Sequence, residues 1–465
     1  MSGLLTRFAG IARVEPARPL IHLPDANSSV SAGDIWSAHR IHADRLAQAG
    51  VEAGALVVSA AGNSAAAAPL LLACRALDAA LLPVDAGATA GEIDALASRF
   101  GASAIVTPAG GAGDLRIAAR AADTRRYPGV AMLKLTSGST GVPKATLTTD
   151  AQLAADCAHI VAAMDIRAGD TQIAAIPLSH SYGLGNLLLP LLVQGTAFVL
   201  RDTFVPQQMA ADARRFGARV FPGVPFMFQY FVDNPPAGGW PPSLGRLISA
   251  GAPLARATVR AFHDRFGIKI HTFYGASETG GIAFDADDDI HEDGAVGLPL
   301  PGVAVSLRDG DRVHVRSDAV SSGYSEPGED DGFVDGGFLT GDYGGWDARG
   351  RLLLRGRASS FVNVAGRKVV PDEVEQVLRA MPGVADVRIV AAPDARRGQQ
   401  IAACVVRDAR AGRLTAVGIR RYCAARLATY KIPRTIVFVD SIPRTSRGKI
   451  DRAALDAVVR AHVRA

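Results

Sequence analysis

Short apolar and β-branched runs alternate with Ala-rich stretches of helical spacing through most of the chain. Ala104-Ile105-Val106-Thr107 has a strand pattern that Pro108 ends, and residues 171–176, 196–200, 219–221, 246–249 and 269–273 repeat it. Residues 151–164 between them have a helical pattern. Strand and helix in alternation predict an α/β fold. From Gly294 to Leu354 the pattern changes to short alternating strands with turn signals, such as Val313-His314-Val315-Arg316 and Arg351-Leu352-Leu353-Leu354. That stretch predicts a β-rich subdomain. A further unit begins near Gly356. Pro371 opens a helix in which Val374, Val377, Leu378 and Met381 fall at i, i+3, i+4 and i+7, and Gly383 stops it. Strands over 386–391 and 401–406, a helix over 418–428 and a strand over 435–439 complete an α+β unit of about 110 residues.

Composition narrows the class without choosing a function. With 465 residues, 48% hydrophobic and 20% charged, the chain can bury a large core, and wholesale disorder is excluded. Its length predicts roughly two to four domains. The net charge of +5 is too weak for its size to imply a nucleic-acid partner. Cys74, Cys157, Cys404 and Cys423 lie far apart with no CxxC pair, so small buried thiols in a reducing compartment are expected rather than zinc or disulfides. Arg7 and Arg13 interrupt the N-terminal apolar residues and argue against a signal peptide. The longest apolar stretch, residues 187–200, contains Pro190, Gln194 and Gly195 and is too short to span a bilayer. A soluble, cytoplasmic protein is the expectation.

Chemistry enters at Leu133-Lys134-Leu135-Thr136-Ser137-Gly138-Ser139-Thr140-Gly141-Val142-Pro143-Lys144. An apolar strand feeds a turn dense in hydroxyls and glycines that ends in a lysine. Glycines let backbone N–H groups approach phosphate oxygens, the hydroxyls donate to them, and Lys144 adds positive charge. Val142-Pro143 separates Gly141 from Lys144, so the GxxxxGK[ST] loop of P-loop kinases is absent. A flexible Ser/Gly linker would explain neither the preceding strand nor the Pro143-Lys144 end.

Further segments follow in a recognisable order: Pro177-Leu178-Ser179-His180-Ser181-Tyr182-Gly183, Pro222-Gly223-Val224-Pro225, Ser249-Ala250-Gly251-Ala252-Pro253-Leu254, Phe273-Tyr274-Gly275-Ala276-Ser277-Glu278, Thr340-Gly341-Asp342, Gly356-Arg357 and Pro443-Arg444-Thr445-Ser446-Arg447-Gly448-Lys449. With the phosphate loop, this set resembles the adenylate-forming superfamily of acyl- and aryl-CoA ligases, peptide-synthetase adenylation domains and luciferases. From residue 136 onward the resemblance covers the whole chain. It implies a large composite N-terminal domain, residues 1–357, of two α/β subdomains plus a β-rich subdomain. A small mobile α+β C-terminal domain, residues 358–465, would follow.

The implied chemistry is attack of a carboxylate on the α-phosphate of ATP, giving an acyl adenylate and pyrophosphate, then transfer to a thiol. By the resemblance, Thr136, Ser137, Gly138, Ser139, Thr140, Gly141 and Lys144 hold the phosphates, and Glu278 is the Mg²⁺ ligand. Tyr274, with Gly275 and Ser277 beside it, stacks on adenine, and Gly251, Ala252 and Pro253 line the nucleotide and acid pocket. Asp342 accepts the ribose hydroxyls with Arg357 beside it. Lys449 bridges carboxylate and α-phosphate, and His180 gates the acid pocket. Gly366 lines the tunnel for the pantetheine thiol of coenzyme A or of an acyl carrier protein. Taken singly, Lys449 reads as a solvated surface lysine, Glu278 as a helix cap, Tyr274 as a core aromatic, Asp342 and Arg357 as turn or surface charges, and His180 as a structural residue.

Departures from the family pattern sharpen the reading. Ser359, followed by Ser360, replaces the charged hinge residue. Ser181 stands where domains for α-amino acids carry an Asp for the ammonium, which argues against amino-acid substrates. Pocket candidates Tyr182, Gly183, Leu184, Val224, Phe228, Ser249, Gly251, Ala276 and Gly280 are neutral and suit an apolar acid. The leading expectation is therefore an ATP-dependent acid–thiol ligase acting on coenzyme A. A stand-alone enzyme loading a carrier protein is the alternative, and a catalytically silent nucleotide-binding protein is a more distant one. Charge is also uneven: residues 406–465 hold 14 Lys and Arg against 4 Asp and Glu. The basic surplus belongs to the small domain that would bring Lys449 to ATP.

Overall fold

The computed structural model describes all residues except 1–2, 86, 110–113, 121–124, 137–143, 327, 329–330, 358–361, 365–366, 370, 395–397, 409–413, 428, 445–449 and 465. Two compact units divide the chain. One comprises Met1–Arg308, His314–Thr340 and Trp346–Leu353; the other comprises Asp309–Val313, Gly341–Gly345 and Leu354–Ala465.

The larger unit holds two sheets. In the first, the strands run in the order Leu115–Ala119, Ala104–Pro108, Leu56–Ser59, Ala80–Pro83, Val130–Thr136, Lys144–Thr149. Its four inner strands are parallel and its two outer ones antiparallel to their neighbours. Leu56, Val57 and Val58 are fully buried, as expected for a strand covered on both faces. In the second sheet Pro19–Leu23, Ala197–Leu200, Thr171–Ala174, Val220–Gly223, Arg246–Ser249 and Ile270–Ala276 lie side by side and parallel. The expected strands are all present, with bounds exact at Arg246–Ser249 and shifted by at most three residues elsewhere. Gly280–Phe284 then pairs antiparallel with Ile270–Ala276, and Ala295–Pro299 with Gly280–Phe284. The β-rich stretch thus starts on the same sheet instead of a separate one.

Helix Asp150–Met164 is fixed by a capping box between Thr149 and Gln152. The apolar stretch of residues 187–200 is no single element. Helix Leu189–Gln194 ends at Gly195 in the left-handed region (φ 76°), and strand Ala197–Leu200 follows. No helix among the described residues is long and apolar enough to cross a membrane. All four cysteines are free and buried, and burial pushes the Cys74 thiol up to about 12.

Behind the Val220–Gly223 and Arg246–Ser249 strands lies an aromatic cluster. Phe228 and Trp240 both meet Phe262 edge-on, with ring centroids 6.0 and 4.9 Å away. It backs helix Pro225–Asp233, whose first turn follows directly from the Pro222–Val224 segment.

The smaller unit is built on strand Gly398–Arg407, which pairs with Val384–Asp394, Val362–Val364 and Thr435–Val439. Alternate residues of that strand serve two cores. Ile401, Ala403 and Val405 pack with Val374, Leu378 and Ile419, whereas Ala402 and Cys404 pack with Leu455 and Val459. Helices Pro371–Arg379 and Ala416–Ala424 therefore cover one face, and Arg452–Arg464 covers the other.

Phe262 is fully buried. Phe262→Ala should cost about 3–5 kcal/mol through lost contacts and the cavity left behind. Chemical denaturation followed by tryptophan fluorescence would read this as a lowered midpoint.

Candidate active site

Four parallel neighbours of the second sheet each end in one of the motif loops. Thr171–Ala174 leads to Pro177–Gly183, and Val220–Gly223 to Val224-Pro225. Arg246–Ser249 leads to Ala250–Pro253, and Ile270–Ala276 to Ser277-Glu278. Segments about 25 to 100 residues apart in sequence thus share one sheet edge, where open α/β folds place their ligands.

Contacts tie these loops together. Ser181 and Ser277 meet hydroxyl to hydroxyl at 2.9 Å. Tyr182 donates from its hydroxyl to the Ile248 carbonyl at 2.9 Å. Gly251 has φ +81° and is exposed with Ala252 and Pro253, on a loop that turns back toward Val224. Ser249 is fully buried, and its hydroxyl has no hydrogen-bond partner. Tyr274 is buried in its strand opposite Ala283. Next to it, a side chain at Gly275 would come within 2.8 Å of the Gly280 carbonyl. His180 caps the short helix Ser181–Gly183 and is more than half exposed, with Nε2 3.6 Å from Asp85.

The first sheet contributes a polar face. Thr136 pairs with Lys144 and Lys134 with Thr146 across antiparallel strands. Residues 322–325 zip onto the outer strand through Leu147 N–H to the Gly323 carbonyl, Ser322 N–H to Leu147 and Ser325 N–H to Ala145, and Tyr324 falls opposite Thr146. Residues directly opposite one another share a face, so Lys134, Thr136, Lys144, Thr146 and Tyr324 all point the same way. Leu133, Leu135, Ala145 and Leu147 take the other face and pack into the core.

Glu278 meets this polar face. Tyr324 donates its hydroxyl to Glu278 Oε1 at 2.7 Å, and burial, then the Glu278 charge, raises the phenol well above its ordinary value. Lys144 lies 5.0 Å from the centroid of the Tyr324 ring and pairs with Asp331 at 3.1 Å. Beneath them Lys134 is buried. Desolvation lowers its pKa, while Asp156 and Glu278 pull it up. Asp156, also buried, accepts from Gly281 N–H at 2.8 Å. Gly280 has φ +70°, and a side chain there would come within 2.2 Å of Asp156.

In the smaller unit, Arg357 donates from Nε to Asp342 at 2.6 Å, with the carboxylate buried and the guanidinium exposed. Ser137, Gly138, Ser139, Thr140, Gly141, Gly366 and Lys449 lie outside the described residues, as do Ser359 and Ser360. Arg444 and Ile450, which flank residues 445–449, pair in a β-bridge.

A sequence profile of AMP-binding enzymes matches residues 118–325, and one of the AMP-binding enzyme C-terminal domain matches residues 373–449. The 2-succinylbenzoate–CoA ligase of Enterococcus faecalis is 31% identical over 334 residues, which is 69% of this chain and 68% of that protein. The chain is an AMP-binding enzyme. The sulfoacetate–CoA ligase of Cupriavidus necator is 32% identical over 339 residues, 70% of this chain and 66% of that one. ATP-bound MatB from Rhodopseudomonas palustris superposes with a TM-score of 0.84 at 25% identity, over 99% of both chains.

Sequence reasoning for this AMP-binding enzyme missed Lys134, Asp156, Tyr324 and Asp331. Two of them left a signal. Lys134 interrupts the apolar run Val130 to Leu135, and Asp156 sits beside the inward-facing Leu153, Cys157 and Ile160 of its helix. Tyr324 and Asp331 lie in irregular segments whose placement depends on a distant strand.

A second acidic group, Asp285, Asp287 and His291, has ligand-type atoms within 4.8 Å of one another. Lys269 Nζ lies 2.8 Å from Asp285 and 2.7 Å from the Asp287 carbonyl, and Arg351 adds another cation. These are the contacts of an ion-pair cluster, already balanced by protein cations.

The motif that carries His180 is tightly constrained. A Cβ at Gly183 would fall 2.1 Å from the Pro177 carbonyl, whereas one at Gly10 would meet nothing within 4 Å. Gly183→Ala should therefore destabilise by about 1–3 kcal/mol through overpacking. Gly10→Ala, inside helix Gly3–Val14, should stabilise by about 0.5–1 kcal/mol. Thermal melts of the two variants should move in opposite directions.

Proposed function

We propose that this AMP-binding enzyme is an ATP-dependent acid–thiol ligase. It adenylates a carboxylic acid with an apolar body, releases pyrophosphate, and passes the acyl group to coenzyme A. The observation that carries this reading is the gathering of four motif loops at one end of adjacent parallel strands, beside the polar face that ends in Thr136 and Lys144. CoA ligases among its relatives support the acceptor.

Two anions, a carboxylate and a triphosphate, have to be brought together in line, so the site has to screen their repulsion. Lys144 and the loop before it take the phosphates. Glu278 has one oxygen held by the Tyr324 hydroxyl and offers a hard oxygen donor of the kind magnesium takes, and bound magnesium would supply further screening. Tyr274 stacks on adenine, and Asp342, steadied by Arg357, accepts from the ribose. Lys449 bridges carboxylate and α-phosphate. At ~4 Å and an effective dielectric near 20, such a contact contributes about 4 kcal/mol. His180 and Gly366 serve the acid and thiol approaches. The Ser181–Ser277 hydroxyl pair leaves no carboxylate there for an ammonium, which supports an acid without an α-amino group.

Purified protein, ATP, Mg²⁺ and a panel of short, medium-chain and aromatic acids, with and without coenzyme A, test the reading. Acid-dependent pyrophosphate release and a CoA thioester are expected. Adenylate that accumulates without thioester would favour a carrier-protein thiol, and no release with any acid would sink the reading for that panel. Lys449→Ala should slow adenylation by about 10²–10³.

A further inference from the structure

Lys134 is an expensive residue to bury. The residue is only 6% exposed and sits in the middle of strand Val130–Thr136, where burial acts against its ammonium. An ammonium in that setting is tolerated only where nearby charges compensate it. Two carboxylates act on it. Asp156 lies on helix Asp150–Met164, and Glu278 lies in the turn between Ile270–Ala276 and Gly280–Phe284.

Geometry links this charge to the phosphate end of the site. Strand alternation places Lys134 on the same face as Thr136, two residues on, where residues 137–143 begin. Cross-strand register places Thr146 beside it, fully buried and with its hydroxyl unpartnered, and then Tyr324. The Tyr324 hydroxyl in turn holds Glu278. Asp156 holds the far side by accepting from Gly281 N–H at 2.8 Å, three residues beyond Glu278. Both ends of the Glu278 turn are thus tied to one buried charge group. Its formal charge is one cation against two carboxylates, so it is negative by one. Removing the cation would leave one buried and one half-buried carboxylate next to the proposed place of a polyanion.

We propose that Lys134, with the Asp156 charge near it, is a positioning residue that steadies the Glu278 turn and sets the charge under the phosphates of the nucleotide. The proposal rests on the reading of this site as an ATP site. Its signature is that the effect of altering Lys134 grows with the charge of the ligand. A loss of packing alone would weaken every nucleotide alike.

The test is calorimetric titration of the full chain with adenosine, AMP, ADP and ATP in EDTA, with thermal melts to verify folding. Lys134→Met should weaken ATP about tenfold, ADP and AMP progressively less, and adenosine hardly at all. Asp156→Asn keeps an oxygen for Gly281 N–H and removes one negative charge, so ATP should bind several-fold more tightly. Opposite signs for the two variants, graded by ligand charge, would support the proposal. Equal losses across the series, or losses of the same sign in both variants, would overturn it. If Lys134→Met fails to fold, the Asp156→Asn series decides alone, and an unchanged or weakened ATP affinity overturns the proposal. Wild-type protein that bound none of the four ligands would overturn the ATP-site reading itself, before any variant was compared.

Discussion

Parallel pairing of Thr171–Ala174, Val220–Gly223, Arg246–Ser249 and Ile270–Ala276 obliges their C-terminal ends to lie along one edge, because each connection crosses back over the sheet. Four motif loops meet there for that reason and no other. Each is short and polar or Gly-rich, and none could hold a ligand alone. The strands behind them are rigid: Val220, Leu247, Ile248 and Ile270 are fully buried, and the aromatic cluster around Phe262 fills the space under two of the loops. This side of the candidate site is therefore a consequence of strand direction, with side-chain identity added on top.

Electrostatics imposes a second constraint, where the first sheet meets this edge. One face of two neighbouring strands and the bridged segment beside them carries Lys134, Thr136, Lys144, Thr146 and Tyr324, and the opposite face of the strands carries Leu133, Leu135, Ala145 and Leu147. A buried polar face is costly unless its groups find partners. Here Asp331 answers Lys144, Glu278 answers Tyr324, and Asp156 answers the Gly281 amide. The same groups that satisfy the face also orient Glu278, the carboxylate proposed to meet magnesium.

Much of the fold was legible because strands buried on both faces are nearly unbroken apolar runs. Residues 246–249 and 435–439 were located to the residue, and the helix opened by Pro371 was recognised from its spacing. Strand Lys144–Thr149 was missed because its alternation, Lys-Ala-Thr-Leu-Thr-Thr, reads as a polar surface until its partners bury it. The helix expected over 418–428 runs instead over Ala416–Ala424, after a cap from Thr415. Local capping decided that boundary, and apolar spacing is blind to it.

Motif order identified the family, and it nominated Thr136, Lys144, Glu278, Tyr274 and Asp342 for the candidate site. Order alone cannot reveal Tyr324 or Asp331, since a side chain 46 residues from its hydrogen-bond partner leaves no local periodicity. By itself, then, the sequence determined the class of fold and the family and nominated a set of candidate groups, because these depend on composition, spacing and short motifs. Only the tertiary structure decided which of those groups touch. It turned Lys134 from an oddity in an apolar strand into a buried charge between two carboxylates, because burial and cross-strand register exist only once distant segments pack.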